Sequence, residues 1–473
     1  MLTVVESLAQ FTAQTRYEDL PQEVVREAKR LLVDSIGCAL GGLSHPKGAI
    51  GVQYANTLGP GAPGQQATII GTGERVSAVG AAFANGELIN ALDFDAVLPP
   101  GHVSPYVIPC ALAAGESAQA SGRNLIRAVA ISHEMTNRIG RALDSLRDTK
   151  DGKASPPAVM GFSSTVFGAA AAVGVMKGHS REVVANALGI AGSISPVNSQ
   201  WSWSVHMPTA TVKYGLAGAV TQAAMAAASL AELGHTGDIQ MLDDGEHGYR
   251  RMIGSTRWSP ERITPGLGTE WLFIAEQVYK MYPHCRILAG PLDVLRDIVE
   301  SNDIKPSEIE GIKAWVEGFV MEPLWLNRKI ENPTQAQFSM SHGLSVGAHL
   351  IPPGKAWQSP EVVFDPSILA LMEKIEFEVH PDYAKLLAGH SASRPTRIEV
   401  RARGHSFVGE KRFPKGGPSP DPATTVTNDE LGAKFERNAA GVLSARTTAS
   451  VLDQLWNLEK IEDIGRFMAT LAK

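Results

Sequence analysis

Apolar residues recur at helical spacing through the first half of the chain. An apolar stripe follows Pro21, a favoured residue for the first turn of a helix, and runs to Gly41-Gly42, where the helix should end. The same spacing predicts further helices over 81–91, 107–118 with a continuation through 125–135, 165–177, 182–192 and 209–232. Because alanine and glycine occur on several faces of these segments, they predict close packing in one compact helical core.

The pattern changes from about residue 270. Strand-like segments lie at 311–320, 375–379 and 397–402, separated by helical spacing over 338–349 and 367–374. The period-two alternation of Arg397–Ala402 is typical of a half-exposed strand. The proline-rich run 413–422 fits no regular element and predicts a loop. After it, Thr427–Glu430 is a capping-box pattern that opens a final helical stretch to about Leu471.

This order of elements predicts the domain organisation. We expect a mainly α fold, with a helical domain over residues 1–268 and an inserted α+β domain over 269–422. The helices of 423–473 should then return to pack on the first domain. A chain of 473 residues is long enough for more than one domain, and 44% apolar residues suffice for sizeable cores.

Charge and cysteine usage exclude several classes of protein. The net charge is −6 and no run of Lys or Arg offsets it, so the chain has no basic surface for nucleic acid. Its three cysteines are scattered, which argues against a disulfide framework or a Cys-x-x-Cys metal site. The two most apolar stretches, 162–176 and 214–233, carry too many small and polar residues for a membrane span. Without a basic, apolar leader at the N-terminus, the cytosol is the expected location.

Common sequence motifs of catalysis are absent. There is no Walker loop, no Gly-x-Ser-x-Gly and no His-Glu-x-x-His. Gly71-Thr-Gly73 follows a strand-like segment, but it lacks the third glycine and the downstream acidic residue of a dinucleotide fold. Candidate chemistry must therefore come from less regular segments.

The segment Asn90–Pro105 is the most informative of these. It places Asp93, Asp95 and His102 between two predicted helices, on a Pro/Gly loop. A carboxylate beside an imidazole can orient the ring for acid/base chemistry. The alternative is that the aspartates cap local backbone and His102 is an ordinary loop histidine.

Two further segments combine chemically useful residues. Lys280–Arg286 brings Lys, His, Cys and Arg together after the helical half, and could bind an anion, move protons or serve only as a hinge. Cys285 could act as a nucleophile only if positive neighbours lowered its pKa. Trp201–Pro208 precedes the predicted helix that holds Lys213, and its tryptophans could pack in the core or form a substrate wall.

Two helical patterns carry weaker signals. Arg138 and Arg141 follow His133 and Glu134 on one helix, which is typical of a solvated face. Gln335–His342 has the pattern of an ordinary amphipathic helix. Neither pattern requires a functional role.

Taken in order, these segments resemble the MmgE/PrpD family, whose members include 2-methylcitrate dehydratases, cis-aconitate decarboxylases and iminodisuccinate epimerases. The resemblance spans most of the chain. It rests on Leu31–Gly37, Ala81–Asp95, His102–Pro105, Ile131–Glu134, Gly161–Ala171, Lys213–Gly215, Tyr282–Arg286 and Gln335–Ser339.

The resemblance implies a large all-helical domain and a smaller α+β lid domain inserted into it. It further implies a homodimer, an active site in the cleft between the domains, and no metal or organic cofactor. The expected substrate is a small carboxylic acid.

Family chemistry implies roles for individual residues. A proton is taken from carbon next to a carboxylate, and the site must stabilise the developing charge. By position, His102 is the leading base or acid and Asp93 its partner or a second acid, with His284 and Cys285 as further catalytic candidates. The expected substrate-binding residues are Val97, Trp203, His206, Lys213, Lys280 and Arg286.

The chain departs from the family pattern at several of these positions. Ala96-Val97 replaces the usual Asp-Thr, and Ser155-Pro156 stands where several members have a histidine before a Pro-rich turn. Trp203 replaces a lysine, and Cys285 lies nearest the lid histidine of the decarboxylase branch. Polar groups that would hold a tricarboxylate are thus missing.

Two explanations of these departures remain open. In the first, anion binding passes to Lys213, Arg286, His284 and His206. In the second, which we favour, the substrate is less charged than methylcitrate and faces an apolar wall of Trp201, Trp203, Val97 and Leu98. The expected activity is that of a cofactor-independent, dehydratase-like lyase; the alternatives are an isomerase, epimerase or decarboxylase using the same carbanion, or a non-catalytic ligand-binding homologue.

Overall fold

The computed structural model describes residues 2–143, 148–150, 153–155, 159–197 and 202–472. Pro156 and Trp201, which the sequence analysis singled out, lie outside the described residues, and only the backbone of Ser155 is described. The chain is mainly helical, as predicted, with one four-stranded sheet and several two-stranded hairpins.

Helices fill the first part of the chain. They are α1 Val4–Gln14, α2 Gln22–Gly42, α3 Pro46–Thr57, α4 Ala78–Asn90, α5 Ser104–Ser117, α6 Gly122–Ala142, α7 Thr165–Lys177, α8 Arg181–Ser193, α9 Ser202–Val205, α10 Ala217–Glu232, α11 Tyr249–Met252 and α12 Phe273–Glu276. Short antiparallel hairpins join some of them: β1 Gln66–Thr68 with β2 Arg75–Ser77, β3 Val97–Leu98 with β4 Gly101–His102, and β5 Asp148–Lys150 with β6 Lys153–Ser155. None of the helices in the described part has the length and apolar character needed to cross a membrane.

Two predicted helices differ from the observed ones. The expected continuation of α5 into α6 is interrupted, because Gln119 has a φ of +52° and the Ser121 side chain caps the start of α6. The helix predicted over 209–232 begins only at Ala217. Tyr214, with a φ of +57°, and Gly215 hold the preceding backbone outside the helical region.

The middle of the chain forms the α+β part. Its helices are α13 Ala289–Ser301, α14 Pro323–Leu326, α15 Pro333–Ala336, α16 Met340–Ala348, α17 Pro360–Val363, α18 Pro366–Met372 and α19 Tyr383–Gly389. Its sheet has the order β10-β9-β7-β8, formed by β7 Ile309–Val316, β8 Ile375–Val379, β9 Thr396–Ala402 and β10 His405–Lys411. Strand β8 runs parallel to β7 and the other neighbours are antiparallel. The alternating burial along β9 confirms the predicted half-exposed strand.

The C-terminal helices pack on the first part of the chain. They are α20 Asn428–Ala439, α21 Ala445–Trp456 and α22 Ile464–Ala469. The Thr427–Glu430 capping box is present at the start of α20. At Gly37 a Cβ atom would lie 3.1 Å from the Phe435 backbone, so glycine lets α2 and α20 approach closely.

Buried apolar side chains form two clusters. One joins the first helices with the C-terminal helices and includes Phe273 and Tyr279. The other surrounds the sheet from Ile287 to Ala402 and also takes in Phe162, Trp203 and Tyr214 from the helical part. The segment 280–286 therefore connects the two clusters.

Candidate active site

The loop between α4 and α5 carries the predicted acid/base residues. It is shaped by the β3–β4 hairpin, in which Val97 is paired with His102. A Cβ atom on Gly101 would overlap the Phe162 ring at 1.9 Å, so the close approach of Phe162 requires glycine there. Val97 also exchanges backbone hydrogen bonds of 2.9 and 2.8 Å with Val278. The hairpin thus lies directly beside the segment that leads to Lys280.

His102 is held by two carboxylates. Its Nδ1 lies 2.6 Å from Asp95 Oδ2, while its Nε2 lies 3.8 Å from Asp93 Oδ1. Asn90 Nδ2 donates to the second oxygen of Asp95 over 3.3 Å. The nearer partner of the imidazole is therefore Asp95, not Asp93, which the sequence analysis had favoured. A carboxylate on Nδ1 places the proton there and leaves Nε2 as the available base.

Asp93 is instead the partner of two lysines. Its Oδ1 accepts from Lys213 Nζ over 3.2 Å and its Oδ2 from Lys280 Nζ over 2.8 Å. Burial alone would raise the pKa of Asp93, but the two ammonium groups and His102 outweigh it and hold that pKa below its ordinary value. Asp93 is therefore an ionised carboxylate with no exposed surface.

Lys213 is the most strongly perturbed cation of the cluster. Burial lowers the pKa of its ammonium group to about 8, although Asp93 opposes the shift. Its Nζ also donates to Gln337 Oε1 over 2.7 Å, and Gln337 Nε2 donates back to the carbonyl of Ala91. Lys213 can thus be charged or neutral near physiological pH.

The C-terminal helix α20 braces this arrangement. Lys434 Nζ donates to Asp34 Oδ1, to the carbonyl of Phe94 and to the carbonyl of Lys280, over 2.6 to 2.9 Å. Asp34 in turn accepts from the backbone of Ala96 over 2.9 Å. One buried ion pair therefore fixes both the Asp93 loop and the backbone of Lys280.

The segment Lys280–Arg286 supplies one wall of a cleft. His284 Nε2 donates to the Ser339 carbonyl over 3.1 Å, which leaves Nδ1 as a buried nitrogen without a hydrogen-bond partner. Burial lowers the pKa of His284 to about 4, so the ring is neutral. Burial raises the pKa of the Cys285 thiol, which disfavours the thiolate.

The cleft itself spans about 740 Å³, part of it open to solvent, and more cationic than acidic side chains line it. Its described lining includes Lys280, Arg286, Arg394 and Lys415 and the carboxylate of Glu276. Of these cations, Lys280 pairs with Asp93, Arg394 with Glu317 and Lys415 with Glu430, all carboxylates outside the lining. Such a lining attracts carboxylate ligands. His102, 4% exposed, and the fully buried Asp93 do not line the cleft, and lie one layer deeper, behind Lys280.

Aromatic rings cover the other side of His102. The Tyr214 ring lies 4.3 Å from the His102 ring between centroids, and its hydroxyl is 3.4 Å from Asp93 Oδ2. Burial raises the pKa of Tyr214, so this hydroxyl remains a donor. Trp203 packs on Tyr214 with 4.8 Å between centroids, as part of the buried cluster rather than at the surface.

The remaining residues that the sequence predicted for the site lie in different places. Val97 is half-buried in the hairpin, and Arg286 lies in the cleft. His206 is exposed and bonds to Ser202 Oγ, away from the Asp93 cluster. In the described ranges, no group of three or more His, Cys, Asp or Glu side chains is arranged to hold a metal ion.

The solvated-face interpretation of α6 is wrong for Arg138. This side chain has no exposed surface, pairs with Glu134 and donates to the carbonyls of Ile263, Pro265 and Glu270. The strand-free stretch after α11 offers these carbonyls no partners of its own, so the guanidinium fork satisfies them. Arg141, by contrast, is partly exposed and pairs with Glu276.

Several residues of the site were not found from the sequence. Gln337 and Tyr214 contact the Asp93–Lys213 pair. Lys47 Nζ donates to Asn90 Oδ1 over 3.0 Å and pairs with Glu87 over 2.9 Å, which fixes the residue that holds Asp95. Gln337 and Tyr214 could have been found from the sequence, because both lie inside segments that carry the family resemblance.

Comparison with known proteins assigns both parts of the chain. Residues 6–261 match the model of the MmgE/PrpD N-terminal domain, and residues 282–458 match that of the MmgE/PrpD C-terminal domain. The chain is 25% identical to human cis-aconitate decarboxylase, over 100% of this chain and 95% of the relative. It is 23% identical to the cis-aconitate decarboxylase-like protein oryM of Aspergillus oryzae (99% and 97% covered) and 24% identical to mouse cis-aconitate decarboxylase (98% and 92%).

Proposed function

The chain belongs to the MmgE/PrpD family, and from that premise we propose that it is a lyase acting on a small carboxylic acid, with His102 Nε2 as the group that exchanges a proton with carbon. The observation that carries the proposal is the pairing of His102 Nδ1 with Asp95 at 2.6 Å beside the Asp93–Lys213–Lys280 cluster. An imidazole oriented in this way accepts a proton at Nε2. Because His102 is 4% exposed and lies behind the lining of the cleft, the proposal also requires the cleft to open toward His102 when the acid binds.

A dehydration at this site removes a proton and a hydroxide from neighbouring carbons of the acid. His102 Nε2 takes the proton from carbon next to the carboxylate, and the C–H electrons form a carbon–carbon double bond as hydroxide leaves the neighbouring carbon. The leaving oxygen takes a proton from a nearby acid, for which the Lys213 ammonium and the Tyr214 hydroxyl are candidates. Positive charge from Lys213, Lys280 and the cleft offsets the charge that builds on the carboxylate.

Decarboxylation is the second candidate, and the names of the relatives favour it. There the bond between carbon and a carboxylate breaks, its electrons stay on carbon as CO2 leaves, and His102, which must be protonated before the step, donates its proton to the carbanion and takes a new one from water. An isomerase would reprotonate the same carbanion from its other face, for which His284 and Cys285 are the candidate donors or relays.

The experiment that tests the proposal is a substrate panel. The full-length protein is incubated in deuterated buffer with cis-aconitate, 2-methylcitrate and smaller di- and tricarboxylates, and NMR follows deuterium uptake, water loss and CO2 release. Turnover of any of these acids at about 1 per second or faster supports the lyase. Absence of all three signals across the panel would favour the non-catalytic homologue. The homodimer that the family resemblance implies is checked on the same sample by sedimentation velocity.

The dependence of kcat/KM on pH should follow the protonation state of Lys213. Because its pKa is about 8, its ammonium group loses its proton as the pH rises through that value, and kcat/KM should fall above pH 8. In Lys213→Arg the guanidinium keeps its charge, so the alkaline fall should move beyond pH 9 even though the maximal rate is lower. The measurement is kcat/KM from pH 6 to 10.

The control for this profile is Lys177→Arg, at a partly exposed lysine paired with Glu232. It should reproduce the wild-type curve. An alkaline fall at the same pH in wild type and Lys213→Arg would show that another group controls the profile.

A further inference from the structure

A second cavity adjoins the site on its aromatic side. It spans about 650 Å³, part of it open to solvent. Tyr214 belongs to both regions, because it lines this cavity and its hydroxyl lies 3.4 Å from Asp93 Oδ2. Phe162, which also lines the cavity, has its ring 6.5 Å from that of His102. The cavity thus borders the residues placed around the reacting carbon.

The lining of this cavity differs from that of the cationic cleft. Among the described residues, no Asp, Glu, Lys, Arg or His side chain lines it, and its walls are mostly aromatic and aliphatic. A charged group would lose its hydration here without gaining a partner. The occupant must therefore be uncharged in the part that enters.

Three residues that line the cavity each carry a polar atom that has no partner and almost no exposed surface. Tyr106 Oη, Ser163 Oγ and Trp203 Nε1 are buried without a hydrogen bond, and all three side chains line the cavity. Buried polar atoms are rarely left unpaired in proteins. The indole N–H can only donate and the two hydroxyls can donate, so an acceptor oxygen on the occupant would satisfy whichever of them turns toward it.

We infer that this cavity receives an uncharged, largely apolar substituent of the substrate that carries an acceptor oxygen, while the carboxylate lies toward the cationic cleft. The inference rests on the proposed function, which places the reacting carbon beside His102. It narrows the substrate class to acids with a charged end and a neutral end, and explains why Trp203 replaces a cationic residue of the family pattern.

Binding of three carboxylates to the full-length protein tests the inference without requiring turnover. The probes are succinate, 2-benzylsuccinate and 2-phenacylsuccinate, the last of which adds a ketone oxygen, and the readout is isothermal titration calorimetry. We expect benzylsuccinate to bind at least about tenfold more tightly than succinate, because the ring is buried in the cavity. Phenacylsuccinate should bind more tightly still.

Two matched variants test whether this cavity causes the tighter binding of the benzyl probe, and a third variant tests the indole N–H. Val212→Asp places a carboxylate at the rim, where the valine is 44% exposed, and should remove the advantage of the benzyl group. Val408→Asp changes a valine on β10 that is 53% exposed and does not line the cavity, and it should leave the advantage of the benzyl group intact. Trp203→Phe should reduce the difference between the phenacyl and benzyl probes, since it removes the N–H and keeps a ring.

The possible outcomes separate this inference from the proposed function. If succinate binds and the benzyl group adds nothing, the inference fails and the proposed function stands. If no probe binds, the inference fails, and the substrate panel decides the proposed function separately. If Val212→Asp changes the sedimentation coefficient and leaves the relative affinities unchanged, the cavity faces a second copy of the chain and the inference is overturned.

Discussion

Replacement of His102 by glutamine should lower kcat about 10²- to 10⁴-fold while the protein stays folded. Glutamine is close to histidine in size, and its amide group can still donate to Asp95, whose oxygen lies 2.6 Å from His102 Nδ1. It cannot accept a proton from carbon. Steady-state kinetics on the acid identified by the substrate panel measure the loss, and far-UV circular dichroism with a thermal melt verifies the fold.

A companion variant and a control sharpen this prediction. In Asp95→Asn the amide can donate to Nδ1, which moves the imidazole proton to Nε2 and removes the base, so kcat should fall by a similar factor. His342→Gln changes another buried histidine, bonded to the Val363 carbonyl in the α+β part, and should retain turnover. Near-normal kcat in both His102→Gln and Asp95→Asn would remove His102 from the mechanism.

Replacement of Asp93 by asparagine should reduce the free energy of unfolding by about 3–5 kcal/mol. The substitution keeps the volume and removes the carboxylate that contacts both Lys213 Nζ and Lys280 Nζ, at 3.2 and 2.8 Å. Lys213 has no exposed surface and Lys280 is 3% exposed, so water cannot replace the lost carboxylate. Urea denaturation followed by circular dichroism measures the change.

The loss of stability in Asp93→Asn should become smaller as the pH rises from 7 to 9. Without Asp93 the pKa of Lys213 falls below its present value of about 8, so the native variant gives up a proton that the unfolded chain keeps to about pH 10.4. The unfolded state then binds more protons, and the stability of the variant rises with pH relative to wild type. Asp303→Asn, at an exposed aspartate paired with Lys305, should show no deficit at either pH. A pH-independent deficit would contradict the charge-based explanation.

Much of the fold follows from local periodicity. Helices such as α7 and α8 and the strand β9 are predicted nearly at their observed bounds, because their burial follows the local pattern of apolar residues. Strand β10 was missed because most of its side chains are exposed at the edge of the sheet, so no alternation marks it. The late start of α10 depends on the positive φ of Tyr214, an uncommon conformation for a residue other than glycine.

The site was predictable only in part. The loop with Asp93, Asp95 and His102, together with Lys213 and Lys280, could be singled out from residue types and family resemblance. Which aspartate contacts Nδ1 depends on the turn of the β3–β4 hairpin. The contacts of Gln337 and Lys434 with this loop span more than 240 residues of sequence, and tertiary packing alone brings them together.

The most direct test of the account is deuterium uptake at the carbon next to the carboxylate, compared between wild type and His102→Gln. Both are incubated in D2O with the acid that the panel identifies, and the recovered acid and product are examined by NMR. We expect wild type to introduce deuterium at this carbon and His102→Gln to lose both this uptake and turnover. Uptake at the wild-type rate in His102→Gln would show that another group moves the proton.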